Sequence, residues 1–258
     1  MIARPDPEEA AHFVEQLDLP PQPLDFGLES AGSEPDFASP DGSAVAIAGQ
    51  LAGFTGAVPP EIRQNLSNAL LLAQLAANKA SEQLAADDIK PWFDTYFEVL
   101  EKVGFLLEDK KDLNLDMTGQ SFEVRDVLIR QLTDALGQAA SLASQIIELL
   151  KGLTKTSTKN PWYQLFDRQV RQQNADLFQL SDVRMDAATV KLTAIAIDID
   201  SRSASVRVPL IGGASDARTL HVRTRGYAID ETTLTNAAMP IAWKLGAHIA
   251  TSIAEIEI

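Results

Sequence analysis

Between Leu128 and Leu153 apolar residues recur in alternating steps of four and three: Leu128, Leu132, Ala135, Ala139, Leu142, Ile146, Leu149 and Leu153. A row of this kind stays on one side of an α-helix, and such a helix must lie against another helix. A second row in the same steps begins after Glu61, with Ile62, Leu66, Ala69, Ala73, Ala76 and Ala80. Its alanines allow close approach, toward the lower end of the usual helix spacing of about 8–10 Å. The matching periods predict an antiparallel pair. Its seam takes Ile62, Leu66, Ala69 and Ala73 from one helix and Leu128, Leu132, Ala135, Ala139, Leu142 and Ile146 from the other.

The rest of the chain is read around that pair. Asp6-Pro7-Glu8-Glu9 is a helix start, with Asp6 as cap, Pro7 in the first turn and Glu9 three residues after the cap. Prolines 20, 21 and 23 stop that helix, and an acidic stretch rich in Pro and Gly follows. Ala44 to Val58 contains no charged residue and reads as a buried helix. A third helix over Ile89–Val103 carries Trp92, Phe93, Tyr96 and Leu100 as an aromatic core row, and Gly104 ends it. Phe105 to Met117 reads as a small hairpin or crossover, and Asn160-Pro161 opens another helix.

Beyond Asp176 the period changes to alternation. Val190–Asp200 is the clearest strand. Val206–Leu210, Leu220–Val222 and Tyr227–Ile229 mark further strands, and Phe178–Met185 reads as a strand with a bulge where the alternation slips. Glu231–Ile258 is helical in period and apolar almost all round, which predicts a buried helix, with Ile256–Ile258 able to extend as a strand.

The expected fold is therefore α+β: a mainly helical bundle of long antiparallel Ala-rich helices, then a small antiparallel β-meander and a buried C-terminal helix. Residues 1–43 are assigned to an acidic arm with a short helix, and 44–153 to the helical bundle. Residues 154–258 are assigned to a helix, the meander and the closing helix, sharing a core with the bundle.

Composition excludes several function classes. There is no cysteine, which removes thiol catalysis, cysteine-ligated metal sites and disulfides. The net charge is −14, and residues 1–160 carry −13 of it. That field opposes nucleic acid and anionic lipid. Neither a secretory signal nor an eighteen-residue apolar run is present, so the expectation is a soluble protein, cytoplasmic or released by a non-classical route.

No constellation of residues points to catalysis. His12, His221 and His248 fall in three different elements, with no metal-ligand spacing. Gly212-Gly213 joins two strands and so lacks the strand-to-helix turn of a phosphate loop. Asp198 and Asp200 share a strand face, but nothing around them resembles a nucleotide fold. Arg202, Arg207, Arg218, Arg223 and Arg225 cluster within 24 residues. Arg207, Arg223 and Arg225 are the candidates for anion or partner binding, and pairing with Asp198, Asp200 and Asp216 is the plainer role.

The leading expectation is a non-catalytic helical interaction protein, without metal or cofactor, that binds itself or another protein. A second is a membrane-active protein. The long Ala-rich helices, the charge-free segment and the small β part resemble helical pore-forming toxins in general style, with no shared motif. That resemblance implies oligomeric insertion of the 44–58 segment through Ile47, Leu51 and Phe54. A third is a small-molecule binder or enzyme with a pocket between sheet and bundle, built from Asp198, Asp200 and the arginines.

Overall fold

Ala44–Ile47 (β1) and Gln50–Thr55 (β2) form an antiparallel hairpin, turning at Ala48-Gly49 with Ile47 paired to Gln50. The charge-free segment is therefore two strands and not the expected helix. An apolar run suits a strand buried on both faces as well as it suits a buried helix, and periodicity cannot separate the two. Here Val45 and Ile47 lie on one face and Ala44 and Ala46 on the other, all at most 1% exposed.

The structure is a computed structural model that describes residues 5–21, 44–55, 58–82, 89–116, 177–200 and 219–256. It also describes the shorter pieces 122–123, 126, 129–130, 133, 163–164 and 214–215. The other strands are Leu106–Asp116 (β3), Phe122–Glu123 (β4), Leu177–Asp186 (β5), Thr189–Asp200 (β6), Ala214–Ser215 (β7), Thr219–Asp230 (β8) and Ile253–Ile256 (β9). The helices among the described residues are Pro7–Gln16 (α1), Pro60–Ser81 (α2), Lys90–Lys102 (α3), Glu231–Leu245 (α4) and His248–Ser252 (α5).

Seven strands join in one sheet, in the order β3-β8-β6-β5-β2-β1-β9, and β4 pairs with β7. Every neighbouring pair in the large sheet is antiparallel except β2 and β5, which run parallel with Leu51 opposite Leu180. This mixed sheet with five described helices replaces the expected helical bundle with its small meander. The sheet draws strands from 44–55, 106–116, 177–230 and 253–256, so stretches far apart in sequence meet in one layer.

One face of the sheet carries the helices. Val45, Ile47, Ala52, Phe54, Val183, Leu192, Tyr227 and Ile229 share a core cluster with apolar residues of α2, α3 and α4. The opposite face is buried too, through Leu51, Phe178, Leu180, Ile195, Ile197, Leu220 and Val222. Burial on both sides explains why the alternation in β5 looks out of phase. Its register with β6 runs unbroken from Leu177↔Asp198 to Asp186↔Thr189, so there is no bulge there. Phe178 and Leu180 fill one face, and Val183 fills the other.

Helix α2 lies where the Ala-rich row from Ile62 predicted it, starting at Pro60. Ile62, Leu66, Ala69 and Ala73 are buried, as are Leu70, Leu71 and Leu72 on its other sides. It packs against α3, α4 and the sheet. The seam positions Leu128, Leu132, Ala135, Ala139, Leu142 and Ile146 lie outside the described residues, as does the strand expected over Val206–Leu210.

Several boundaries match the reading of the sequence. Asp6 Oδ1 accepts from Glu8 N at 2.9 Å and Glu9 Oε2 accepts from Asp6 N at 3.3 Å, so the capping box of α1 is present. Trp92, Phe93, Tyr96 and Leu100 are core residues of α3. Gly104 ends that helix with φ +111°, where a Cβ would come within 2.6 Å of Thr233 Cγ2.

Phe105–Met117 differs from its expectation, since β3 is one long edge strand paired with β8. The run Glu108, Asp109, Lys110, Lys111 and Asp112 keeps this edge charged, which discourages pairing with other chains. The C-terminal segment is also only partly as expected. Helix α4 buries Leu234, Ala237, Ile241 and Leu245 but leaves another side open, because it lies on the outside of the helical layer. Ile253–Ile256 is a strand that shares only Ile256 with the stretch Ile256–Ile258 expected to extend, whose last two residues lie outside the described ones. No described helix is long and apolar enough to cross a membrane.

Candidate functional site

The outer side of α4 is the most exposed apolar surface among the described residues. Met239 and Trp243 lie four residues apart and so stand one above the other, 62% and 80% exposed. Asp230 fixes the start of this helix, its Oδ1 accepting from Thr233 N at 2.9 Å. Between Thr232 and Ala254 the only charged side chain is Lys244, and its Nζ donates to the Glu15 carbonyl at 2.9 Å. Thr235, Asn236, Gly246, Ala247 and Ala250 are exposed nearby, all uncharged. In a chain of net charge −14, this is a neutral surface with a tryptophan at its centre. Large exposed apolar groups set among polar neighbours mark interaction surfaces.

The arginine pair is positioned by β8. Arg223 and Arg225 are two residues apart on the helix-bearing face, opposite Ala196 and Ala194 of β6. Those alanines leave room above the sheet, and two rings of α3 fill it. Arg225 Cζ lies 4.7 Å from the Phe97 ring centroid, and Arg223 Cζ lies 5.6 Å from that of Phe93. Arg225 holds Asp112 of β3 with both NH groups, at 2.5 and 3.4 Å. Arg223 Nε lies 3.9 Å from Asp112 Oδ1, and its NH1 donates to Asn114 Oδ1 at 3.2 Å.

Burial pushes the Asp112 carboxyl upward, but the Arg225 hydrogen bond and the charges of Arg225, Arg223 and Lys110 outweigh it. The net shift is downward. The shared face was legible in the sequence. Asp112 and the two phenylalanines were not, because they sit more than a hundred residues away. Arg207 lies outside the described residues. The arrangement ties β3, β8 and α3 together, and its guanidinium groups are already engaged by protein acceptors.

A buried polar chain joins α2, α3 and the sheet. Tyr96 OH donates to Gln50 Oε1 at 3.1 Å, and Gln50 Nε2 donates to Ser181 Oγ at 2.5 Å. Gln74 Nε2 donates to Gln179 Oε1 at 2.7 Å, and Gln74 Oε1 accepts from Gly49 N at 3.1 Å. All five side chains are at most 1% exposed. Burial pushes the Tyr96 phenol upward, so it stays protonated and serves as a donor. Gln50 and Gln179 face each other across the parallel β2–β5 pair. No sequence pattern announced this chain, since isolated glutamines carry no periodic signal.

The remaining candidates are dispersed. His12 Nε2 lies 2.8 Å from Gln16 Nε2, and His221 Nδ1 lies 2.9 Å from Asn114 Oδ1. His248 is buried, which lowers its pKa, while a hydrogen bond to the Pro20 backbone works the other way. Asp198 sits opposite His221 across the β6–β8 ladder. Among the described residues no group of three or more His, Asp or Glu side chains gathers as a metal site. Ile47, Leu51 and Phe54 are fully buried inside the sheet.

No protein-family model and no curated protein matches this sequence. The solved structures with a loose likeness include a delta-endotoxin, with TM-score 0.37 and 11% identity, over 71% of this chain and 83% of that one. They also include the Evf virulence factor, with TM-score 0.33 and 13% identity, over 76% and 78%. These values establish neither a shared fold nor a family.

Proposed function

We propose that the protein acts without catalysis, by docking the outer face of α4 on itself or on another protein. The observation that carries this reading is the Met239–Trp243 pair, standing in water on an uncharged helix surface. A tryptophan left 80% exposed gains by being covered, and tryptophan is the residue most enriched among interface anchors. The seam of α2 is not the contact surface in this reading, because Ile62, Leu66, Ala69 and Ala73 are already covered within the fold. Repulsion between copies of charge −14 is screened over about 8 Å at physiological salt, so a neutral patch is where copies would meet.

The same tryptophan supports a second reading, docking on a neutral bilayer surface, where tryptophan side chains settle at headgroup level. Insertion of the Ala44–Thr55 hairpin would require parting it from β5 on one side and β9 on the other, so α4 is the better first contact. Light scattering after size exclusion separates the readings, run with and without phosphatidylcholine vesicles on the wild type and Trp243→Ser. A concentration-dependent oligomer lost in the variant supports protein docking, and vesicle binding lost in the variant supports the second reading. A wild type that stays monomeric and ignores vesicles, like its variant, overturns both.

A further inference from the structure

We infer that residues 5–21 form a strap that lies along one flank of α4, opens independently of the sheet, and limits how much of α4 is available for docking. This rests on the reading of α4 as the docking helix. The strap contributes no strand to the sheet, whose first strand begins at Ala44. Its helix packs on α4. The contact is a single apolar row, in which Ala10 and Val14 are buried while Phe13, Leu17 and Leu19 are partly buried.

The polar ties are few in kind and all point one way. The Glu15 carbonyl accepts from Lys244 Nζ at 2.9 Å, and His248 bonds to the Pro20 backbone. Lys244 lies in the last turn of α4 and His248 opens α5, so the strap's second half runs past the junction of the two helices. Its acidic side chains are Asp6, Glu8, Glu9, Glu15 and Asp18. It meets Lys244 in the last turn of α4.

A ten-residue helix is too short to persist in water by itself, so a strap that lifts also unfolds. Lifting it uncovers the apolar surface of α4 on which α1 packs, and so adds to what α4 can offer a partner. Segments with few buried contacts and no strand pairing open at lower free energy than the core.

The test is amide exchange and docking on the full chain, comparing wild type, Val14→Asp and Lys244→Gln. Burying a carboxylate at position 14 is expected to speed exchange over 7–16 by about a hundredfold or more. Removing the lysine donor is expected to speed it by about tenfold, without touching the core. Residues 60–81 and 189–200 should keep their protection in both variants. Self-association or vesicle binding should rise several-fold in both and fall back when Trp243→Ser is added.

Loss of protection over 60–81 and 189–200 together with 7–16, in Lys244→Gln as in Val14→Asp, would overturn the strap, since α1 would then be part of the core. Normal opening with docking unchanged would overturn its control of α4. Exchange reads the strap without reference to docking. A failure of the α4 reading shows differently, as docking that Trp243→Ser never alters.

Discussion

Gln74 Nε2 lies 2.7 Å from Gln179 Oε1, joining the second half of α2 to the first half of β5 where both are sealed from water. The two glutamines are not equivalent. Gln74 also accepts from Gly49 N, whereas Gln179 Nε2 has no partner among the described residues. Gln74→Met should therefore cost about 2–3 kcal/mol, since it leaves both the Gly49 N–H and the Gln179 oxygen unpaired. Gln179→Met removes an orphan donor as well as a bond and should cost about 1 kcal/mol. Urea unfolding of the two variants measures the difference, and equal losses would contradict the asymmetry.

Arg225 should matter more than Arg223. It sits nearer its ring and grips Asp112 with two NH groups. Arg225→Ala should lose about 1–3 kcal/mol, combining a partly buried ring contact with a bidentate pair. Arg223→Ala should lose about 1 kcal/mol or less, and Arg225→Lys should recover only part of the loss, because an ammonium cannot form the fork. Chemical denaturation of the three variants gives the order.

Two backbone positions should respond in opposite directions. Ala187 turns β5 into β6 with φ +53°, which an alanine adopts at a cost of about 1–2 kcal/mol. It is exposed, so Ala187→Gly should raise stability by roughly 0.5–1 kcal/mol, part of the relief being offset by glycine's freedom when unfolded. Gly104→Ala should lower it by about 2–4 kcal/mol, since the new methyl meets Thr233 in a backbone conformation that disfavours any side chain. Thermal unfolding reads both signs.

Asp182 gives the fold a distinctive response to pH. It is buried on the face of the sheet opposite α2 and α3, and burial raises its carboxyl to about 6, with Arg184 opposing the rise. A carboxyl whose pKa is higher folded than unfolded binds its proton more tightly in the fold. Its ionisation therefore destabilises the protein above pH 6, and the penalty disappears as pH falls toward 4. Asp182→Asn should exceed the wild type in stability by about 2–3 kcal/mol at pH 8 and lose that advantage by pH 4.

His248 works the other way. Its lowered pKa favours the neutral ring, so its contribution is lost as pH falls through the ordinary histidine range. The wild-type profile superposes the two, and the difference between wild type and Asp182→Asn isolates the carboxylate. A difference independent of pH would rule out the buried charge.

Local signals were legible wherever one element carried them whole. The capping box at Asp6 and Glu9, the Ala-rich helix from Pro60, the aromatic row of α3 and the alternation of β6 depend on neighbours within a turn or a strand. The Ala44–Thr55 hairpin was misread because a segment buried on both faces has no polar side to reveal its period. Trp243 was hidden for the reverse reason. A helix apolar nearly all round looks fully buried, and only its placement outside the helical layer shows which side stays in water.

The amino-acid order by itself determined helices α1, α2 and α3 and strands β5 and β6, and that Arg223 and Arg225 share a face, because those outcomes rest on spacing along the backbone. Tertiary structure alone decided that β2 lies beside β5, that Asp112 closes the arginine pair, that Gln74 meets Gln179, and that Trp243 faces water. Each of these joins or exposes residues according to how separate segments pack. No periodicity within a single segment records what a distant segment will cover.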